Sequence, residues 1–279
     1  MEQRQDIDGL LNQYLYEPSL VTTDYEHLLG VPNHAGRDFD EDRVSAIKAC
    51  PQFKDWIQRG DSSLLLVNAN LDTPSSLEMS FVSAQAFKRA MEIYGEETNA
   101  GPKLIPLAFF CGQHEDYRRD ENGHPSELAM SLLLQLVDRY RAFHPEHVAV
   151  AFERFNPEDI ESILKAFKTL ISCLPEHMIV FIIIDSLRSF GRPKKRRNDL
   201  VEVVEGLVDI CRGRHPATLK VLFANSTRAE YLEDIFTNDE TLRVPASAPI
   251  EGGYNTRSWL QPVDLDGVVA YDSEGSGSW

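Results

Sequence analysis

Four short, mainly apolar runs separated by helix-length segments constrain the fold of this chain more than any other feature of its sequence. The clearest run, Met178–Ile184, contains seven consecutive apolar residues and is followed by Asp185. The other three runs lie at Leu64–Val67, Leu104–Cys111 and Leu219–Ala224. Continuous apolar runs of this length are typical of strands that are buried on both faces, and strands that alternate with helices form parallel sheets. We therefore predict an α/β fold of three layers, in which helices cover both faces of a parallel sheet.

The hydrophobic pattern and the residue composition divide the chain into three regions. Residues 1–58 carry amphipathic patterns and predict an N-terminal helical extension. Residues 59–250 contain the four apolar runs and a weaker strand at Thr241–Val244, which together predict an α/β domain with a sheet of about five strands. Residues 251–279 are rich in glycine and serine, and we expect a mostly irregular C-terminal tail.

The composition of the chain is acidic, with 28 Lys and Arg residues, 44 Asp and Glu residues and a formal net charge of −16. A net field of this sign repels polyanions, so we expect neither nucleic acid nor an anionic membrane as a partner. The longest apolar run is far shorter than the roughly twenty residues of a membrane span, and no apolar block follows Met1. We therefore expect no transmembrane segment and no signal peptide. The four cysteines form no CxxC pair, which favours free thiols and an intracellular, cytoplasmic location.

The segment after the first apolar run occupies the position of a phosphate-binding loop, between a strand and a helix. Such a loop has the pattern GxxxxGK[ST], because its glycines let backbone N–H groups surround the phosphates while the lysine and the hydroxyl bind phosphate and magnesium. In this chain Ala69 and Pro74 stand at the two glycine positions, Ser75 stands at the lysine position, and only Ser76 matches. Proline also lacks the N–H group that a phosphate would use. We interpret these residues as a degenerate Walker A segment, which by itself predicts only a turn.

Two more strand ends carry polar residues, and ligands of parallel sheets bind at these carboxyl ends. Asp185 follows an apolar strand, which is the Walker B pattern in which a carboxylate holds Mg²⁺ through water. Apolar strands that end in aspartate are also common as a purely structural feature, and this interpretation stays open. The fourth run is followed by Ser226, Thr227 and Arg228, which would place hydroxyls and a guanidinium near a γ-phosphate.

Taken in chain order, these pieces resemble the NACHT and related STAND class of P-loop NTPases, especially fungal proteins that share a nephrocystin-3-like N-terminal module. The matching stretches are FKDWIQRGDSSLLLVNA, LAFFC, IVFIIIDSL and KVLFANSTR, and the resemblance covers roughly residues 50–250. It implies a P-loop NTPase-like sheet with the strand order 5-1-4-3-2. It also implies that Ser226, Thr227 and Arg228 correspond to the sensor motif at the end of the fourth strand.

The departures from the family pattern predict that catalysis has been lost. The glycines and the lysine of the first loop are absent, and Ser186–Ser189 stands where the family has an acidic pair after the Walker B aspartate. Without these groups no lysine holds the phosphates and no carboxylate orients an attacking water. We interpret the chain as a catalytically inactive NTPase-like domain, an interaction or regulatory module with a protein partner and no cofactor. The alternative is a nucleotide-binding ATPase that holds ATP and Mg²⁺ in an unorthodox phosphate loop, with Arg228 or Lys194–Arg197 in place of the lysine.

A basic run, Pro193–Arg197, stands out in this acidic chain. We interpret it as a solvated loop that leads to a helix at about Asp199–Arg212. The alternatives are a nuclear-import signal, which would add a nuclear location, and a patch that contacts an anion.

Two further groups of residues predict no chemistry. Cys111, His114 and His124 do not have the spacing of a standard zinc site, so we expect no metal. Ser76, His114 and Asp185 are not accompanied by the G-x-S-x-G pattern that a hydrolase triad would use, so we expect no catalytic residue among them.

Overall fold

A parallel sheet of five strands forms the centre of the structure, a computed structural model that describes residues 2–34, 39–69, 77–96, 103–244, 258–265 and 268. The strands are β1 (Ser63–Asn68), β2 (Lys103–Phe110), β3 (Met178–Asp185), β4 (Thr218–Asn225) and β5 (Thr241–Arg243). Their order across the sheet is β2-β3-β4-β1-β5, and all adjacent pairs are parallel. Counted from the β5 edge this order is 5-1-4-3-2, so the predicted fold class and strand order are confirmed.

Helices lie on both faces of the sheet. In chain order they are α1 (Glu2–Gln13), α2 (Ser19–His34), α3 (Glu41–Ala49), α4 (Pro51–Gln58), α5 (Glu78–Gly95), α6 (Pro125–Arg139), α7 (Pro145–Ala151), α8 (Ile160–Ser172), α9 (Lys194–Arg212) and α10 (Glu230–Glu233). Strand side chains alternate between the two faces. On β3, Val180 and Ile182 join the buried cluster of α6, α8 and α9, whereas Phe181 and Ile183 join the cluster of α2–α5. Burial on both faces explains why the strands are continuously apolar.

The N-terminal helices are built into both outer layers of the fold. Ile7 and Leu11 of α1 belong to the same buried cluster as α6, whereas α2, α3 and α4 contribute to the cluster on the opposite face. The ring of Tyr25 in α2 meets that of Phe87 in α5 edge to face, with 5.4 Å between the centroids. These helices therefore complete the layers that cover the sheet. None of the helices in the described ranges is both long and apolar enough to cross a membrane.

A buried lysine fastens α4 to the amino edge of the sheet. Lys220 on β4 is 1% exposed, and its ammonium donates to the carbonyl oxygens of Trp56 (3.2 Å) and Arg59 and to Ser63 Oγ (3.1 Å). Trp56 and Arg59 lie at the C-terminal end of α4, where unpaired carbonyls and the helix dipole favour a cation. Burial lowers the pKa of Lys220 to about 8.

Residues 258–265 cross the outer side of α3 and α5. Lys48 Nζ on α3 donates to the carbonyl oxygens of Gln261 (2.6 Å) and Trp259 (2.9 Å), and burial lowers the pKa of Lys48 to about 8. The indole of Trp259 lies against the ring of Phe81 on α5, with 5.9 Å between the centroids. This part of the predicted irregular tail is therefore docked on the fold, while most of the rest of the tail lies outside the described residues.

A buried histidine joins α2 to the segment after β2. His114 Nε2 lies 3.0 Å from Asp24 Oδ2 on α2, and His114 Nδ1 lies 2.7 Å from Asp120 Oδ2. Burial by itself lowers the pKa of His114, but the hydrogen bonds to the two carboxylates outweigh burial and raise the pKa above the ordinary 6.5. The protonated imidazole donates to both carboxylates, so it holds α2 against the carboxyl edge of the sheet.

Replacing Lys48 by methionine should loosen the docked C-terminal segment, because the ammonium holds the carbonyls of Trp259 and Gln261. We expect the free energy of unfolding to fall by about 1–3 kcal/mol, the scale of hydrogen bonds from charged groups. The indole of Trp259 should become more accessible to acrylamide, measured as fluorescence quenching in a Trp279→Phe background. Lys54→Met removes an exposed lysine on α4 and is the control. Equal quenching with and without Lys48→Met would contradict the predicted clamp.

Raising the pH through the neutral range should weaken the contribution of His114 to stability. Its pKa is higher in the folded than in the unfolded chain, so the contribution is complete below about pH 6.5 and is lost as the pH rises through the folded-state pKa. We expect the melting temperature of the wild type to fall more steeply across this window than that of His114→Gln. His177→Gln, which removes an exposed histidine at the amino edge of the sheet, should keep the wild-type slope. Identical slopes for the wild type and His114→Gln would show that the histidine is not the titrating group.

Candidate functional site

The carboxyl ends of β1, β3 and β4 lie side by side at one edge of the sheet, and each strand ends in a buried polar residue. These residues are Asn68, Asp185 and Asn225. In the register of the sheet Asn68 lies opposite Asn225, and Asp185 lies opposite Ala224. The structure thus brings together the strand ends that the sequence singles out, at the edge where parallel α/β proteins bind ligands.

Asp185 is 1% exposed, and serine hydroxyl groups donate hydrogen bonds to its carboxylate. Ser83 Oγ on α5 donates to Oδ1 (3.0 Å) and Ser186 Oγ donates to Oδ2 (2.8 Å), while Ser80 Oγ lies 3.1 Å from Ser186 Oγ. Burial raises the pKa of Asp185 and outweighs the hydrogen bonds from Ser80, Ser186 and Ser83, which lower it. Both carboxylate oxygens therefore have donors within the protein, and the side chain joins β3 to α5.

The sensor-like arginine is neutralised by a glutamate on α10. Arg228 donates from Nε (2.7 Å) and Nη2 (2.6 Å) to the two carboxylate oxygens of Glu233. Glu233 also accepts from Arg243 Nη2 (3.0 Å) and from Asn68 Nδ2 (3.1 Å). The hydrogen bond from Arg228 is the main reason why the pKa of Glu233 lies below its ordinary value. Glu233 therefore ties the segment after β4 to β1 and β5, and it neutralises Arg228 within that segment.

The first loop is described only at its two ends. Ala69 is buried at the end of β1, and its backbone carbonyl accepts from Nη2 of the buried Arg43 on α3. Pro74, Ser75 and Ser76, the other residues of the degenerate Walker A segment, lie outside the described residues. Arg43 is a cation at the start of the first loop that the sequence interpretation did not single out.

The basic run forms the start of α9 and not a solvated loop. The helix begins at Lys194, five residues earlier than expected, and Pro193 is its N-cap. Arg196 is 5% exposed, and its guanidinium lies 4.0 Å from the ring centroid of Phe190. Its two terminal nitrogens donate to backbone carbonyls of the segments after β2 and β3, at His114 (3.0 Å), Glu115 (3.1 Å), Ser189 (3.0 Å) and Arg192 (3.4 Å). The expected solvated loop is wrong because these carbonyls and this aromatic ring enclose one member of the run.

A cleft of about 900 Å³ opens beside this arginine, between the segments that follow β3 and β4. Ser226 and Thr227 of the sensor-like motif are half-buried in its wall, and Thr227 Oγ1 accepts from Arg188 Nη1. Five of the residues that line the cleft are arginines: Arg188, Arg192, Arg196, Arg197 and Arg228.

The other candidate residues are engaged elsewhere. Both ring nitrogens of His114 lie against Asp24 and Asp120, so His114 does not pair with Asp185 as a hydrolase triad would require. The four cysteines are free thiols, and within the described ranges no three His, Cys, Asp or Glu side chains are placed to hold a metal ion.

The residues that the sequence interpretation missed are the ones that neutralise or enclose its candidates. Ser80 and Ser83 face Asp185 from α5, and their spacing of three residues on a predicted helix is a signal that could have indicated a shared face. Glu233 follows Arg228 by five residues, a spacing without a helical pairing rule, so the sequence carries no sign of this contact.

The chain matches the family described as nephrocystin 3, N-terminal, over residues 44–224. A comparison with curated proteins gives no match. Among solved structures, the chain is similar to the Aeropyrum pernix ORC1 protein in complex with DNA, at 13% identity and a TM-score of 0.39, over 74% of this chain and 44% of that chain. It is also similar to PCH-2 of C. elegans, at 18% identity and a TM-score of 0.23, over 64% of this chain and 45% of that chain. This chain thus spans less than half the length of either solved chain.

The family match covers well over half of the sequence and includes all of β1, β2 and β3 and nearly all of β4. The same strands give the parallel sheet its 5-1-4-3-2 order. The chain belongs to the nephrocystin 3 N-terminal family, as a P-loop NTPase-like α/β module.

Proposed function

We propose that this chain is a catalytically inactive NTPase-like module of the NACHT and STAND type, which acts by interaction or regulation. The observation that carries the proposal is that the carboxylate of Asp185 is buried and hydrogen-bonded to hydroxyls of the protein. Its two oxygens accept from Ser83 and Ser186, and it is enclosed by protein atoms. A Walker B aspartate has to present an oxygen to the hydrated magnesium ion, whereas each oxygen of Asp185 already accepts from a hydroxyl of the protein and the residue is shielded from water.

The residues after Asp185 support the same proposal. Ser186–Ser189 contains no carboxylate that could orient an attacking water, and Ser189 Oγ is itself a donor to Glu115 Oε1 (2.6 Å). Arg228, which would contact the γ-phosphate, is held bidentately by Glu233 and would have to break two short hydrogen bonds to reach a ligand.

A protein is the partner that we propose for this module, in an intracellular setting. The net charge of −16 disfavours nucleic acid and anionic membranes over the surface as a whole. A module without hydrolysis can still act through a surface that a second protein recognises.

A second candidate function, a nucleotide-binding ATPase with an unorthodox loop, is favoured by one observation. Arg43 brings a buried guanidinium to the backbone of Ala69, at the start of the segment where the family has its phosphate loop. An arginine there would supply the positive charge that Ser75 lacks. The two functions differ in one measurable property, the dependence of nucleotide binding on magnesium and on Asp185.

We expect no ATP hydrolysis above background and no magnesium-dependent stabilisation by ATP. A nucleotide bound through magnesium at one hundred times its Kd would stabilise the fold by about 2.7 kcal/mol, which raises the melting temperature of a domain of this size by roughly 5–10 °C. The melting temperature in MgATP should instead equal that in ATP with EDTA, for both the wild type and Asp185→Asn.

Asp185→Asn should retain or raise the melting temperature without ligand. Burial raises the pKa of Asp185 above its ordinary value, so the ionised form at neutral pH disfavours folding, while an amide oxygen can still accept from Ser83 or Ser186. Asp209→Asn removes an exposed carboxylate on α9 and is the matched control. A gain of several degrees in MgATP that is absent in EDTA and absent in Asp185→Asn would establish the ATPase candidate instead.

A further inference from the structure

Residues 258–265, the docked segment, bridge two helices that belong to an early part of the chain. The backbone carbonyl of Trp259 accepts from Lys48 Nζ on α3 (2.9 Å) and from Gln85 Nε2 on α5 (3.1 Å). Lys48 Nζ also donates to Gln85 Oε1 (3.1 Å), which joins the two helices directly. The position of α3 against α5 therefore depends on a segment that lies more than 170 residues further along the chain.

The indole of Trp259 lies between the starts of the same two helices. Its centroid is 5.9 Å from the ring centroid of Phe39 and 5.9 Å from that of Phe81. Phe39 precedes Asp40, the N-cap of α3, and Phe81 lies at the start of α5. Phe39 and Phe81 also meet edge to face, with 5.3 Å between their centroids. Contacts between aromatic rings stabilise beyond the area that they bury, so the indole fastens the start of α3 to the start of α5.

The start of α3 is in turn bonded to both flanks of the degenerate Walker A segment. Arg43 is 4% exposed and its Nη2 donates to the carbonyl oxygen of Ala69, at the end of β1. The backbone N–H of Asp40 donates to Oε1 of Glu78, the first residue of α5 (3.0 Å), and Glu78 is 3% exposed. Buried charged groups are costly to separate from their partners. A displacement of α3 therefore has to disturb the end of β1 and the start of α5.

The part of the docked segment that meets α3 is held less firmly than the part that follows. It forms a single turn of 3-10 helix at Ser258–Leu260, and in the described ranges it pairs with no strand of the sheet. Leu260 is 52% exposed, whereas Val263 and Leu265 are 4% and 0% exposed and belong to the core. Segments with few buried apolar contacts open locally while the rest of a fold stays intact. The turn around Trp259 is therefore the part of the segment that we expect to open first.

We propose that the docked segment is a latch that controls the two flanks of the degenerate Walker A segment. In the docked state it holds α3 where Arg43 and Asp40 fasten the end of β1 and the start of α5, and in the undocked state it releases both. The helix α3 transmits the change because its nine residues move as one hydrogen-bonded unit. Coupling between distant sites needs an element with two states that both sites bias, and α3 is that element.

The latch gives a protein partner a way to act on the carboxyl edge of the sheet from a distance. A partner that drew Trp259 away from α3 and α5 would loosen the end of β1 without touching it. The proposal goes beyond the proposed function and does not depend on it, since the latch acts without nucleotide. Its tests are accordingly made without nucleotide, so their outcome is separate from that of the melting experiment with MgATP.

Amide hydrogen exchange of the full chain, followed by NMR, tests the latch at the end of β1. The reporter is the N–H of Ala69, which donates to the carbonyl oxygen of Asn225 (2.9 Å). Trp259→Ala should speed exchange at Ala69 by about tenfold, because it removes the indole that fastens α3. Exchange at Ile182, in the central strand β3, should stay the same. Leu260→Ala removes an exposed side chain from the same turn and should leave both amides unchanged.

Two outcomes overturn the proposal. One is exchange at Ala69 that does not respond to Trp259→Ala. The other is an equal rise at Ala69 and Ile182, which reports a loss of global stability and not the opening of a latch.

A double-mutant cycle tests whether Arg43 carries the effect from α3 to β1. Arg43→Met should speed exchange at Ala69 by itself, and adding Trp259→Ala should speed it no further, because the connection is already broken. In Lys54→Met, which removes an exposed lysine on α4, Trp259→Ala should keep its full effect. Additive effects of Arg43→Met and Trp259→Ala at Ala69 would contradict the latch. If Arg43→Met does not fold, a cross-link between α3 and the docked segment decides the outcome.

The cross-link holds the docked segment on α3 by a covalent bond. Ser45 Oγ lies 2.7 Å from Ser258 Oγ, so cysteines at these two positions face each other closely enough for a disulfide. The pair is made in a Cys50→Ser background, which removes the half-buried thiol at the end of α3. In the oxidised protein Trp259→Ala should leave exchange at Ala69 as slow as in the wild type, and reduction should restore the fast exchange. Fast exchange at Ala69 in the oxidised Trp259→Ala protein would show that docking does not control the end of β1, and would overturn the proposal.

Discussion

Asp185 is a charged group that the fold places out of reach of water, and much of the site is arranged around its need for donors. A buried carboxylate without partners costs several kcal/mol, so hydroxyls have to lie where β3 ends. Ser83 supplies one of them from the second turn of α5 and so fixes that helix against β3. Ser186 supplies the other from a left-handed backbone conformation (φ 54°), which costs a residue other than glycine about 1–2 kcal/mol. That turn redirects the chain toward α9, so the wall of the cleft also depends on this carboxylate.

The sheet could be predicted from the sequence because strands that are buried on both faces consist of continuous apolar residues. Met178–Ile184 has no polar residue because neither face of β3 meets water. The strand order could not be obtained in this way, since parallel strands joined by helices can be arranged in several orders that all obey right-handed crossovers. It came from the resemblance to a family. The sequence predicts the strand at Thr241–Val244 only weakly because it is short, and its pairing with β1 establishes it as Thr241–Arg243.

The contacts that bury Arg196 and dock Trp259 could not be predicted from the sequence, because they join segments that are far apart in the chain. Arg196 belongs to a run that has the composition of a solvated loop, and only the carbonyls and rings brought to the carboxyl edge by other strands make its burial favourable. Trp259 lies in a stretch without periodicity, and it is placed by α3 and α5. In both cases tertiary contacts override the local sequence signal, and no local pattern encodes them.

The helical start of α9 has a consequence for how the basic run can be recognised. A receptor that binds a short basic signal as an extended peptide needs the whole run free of other structure. Here Lys194 and Lys195 face solvent, whereas Arg196 is turned inward under Phe190. To present the run in extended form, the first turn of α9 would have to unwind and Arg196 would have to release the carbonyls that shape the cleft. Display of the run as a linear signal and the intact cleft are therefore mutually exclusive states of the same few residues.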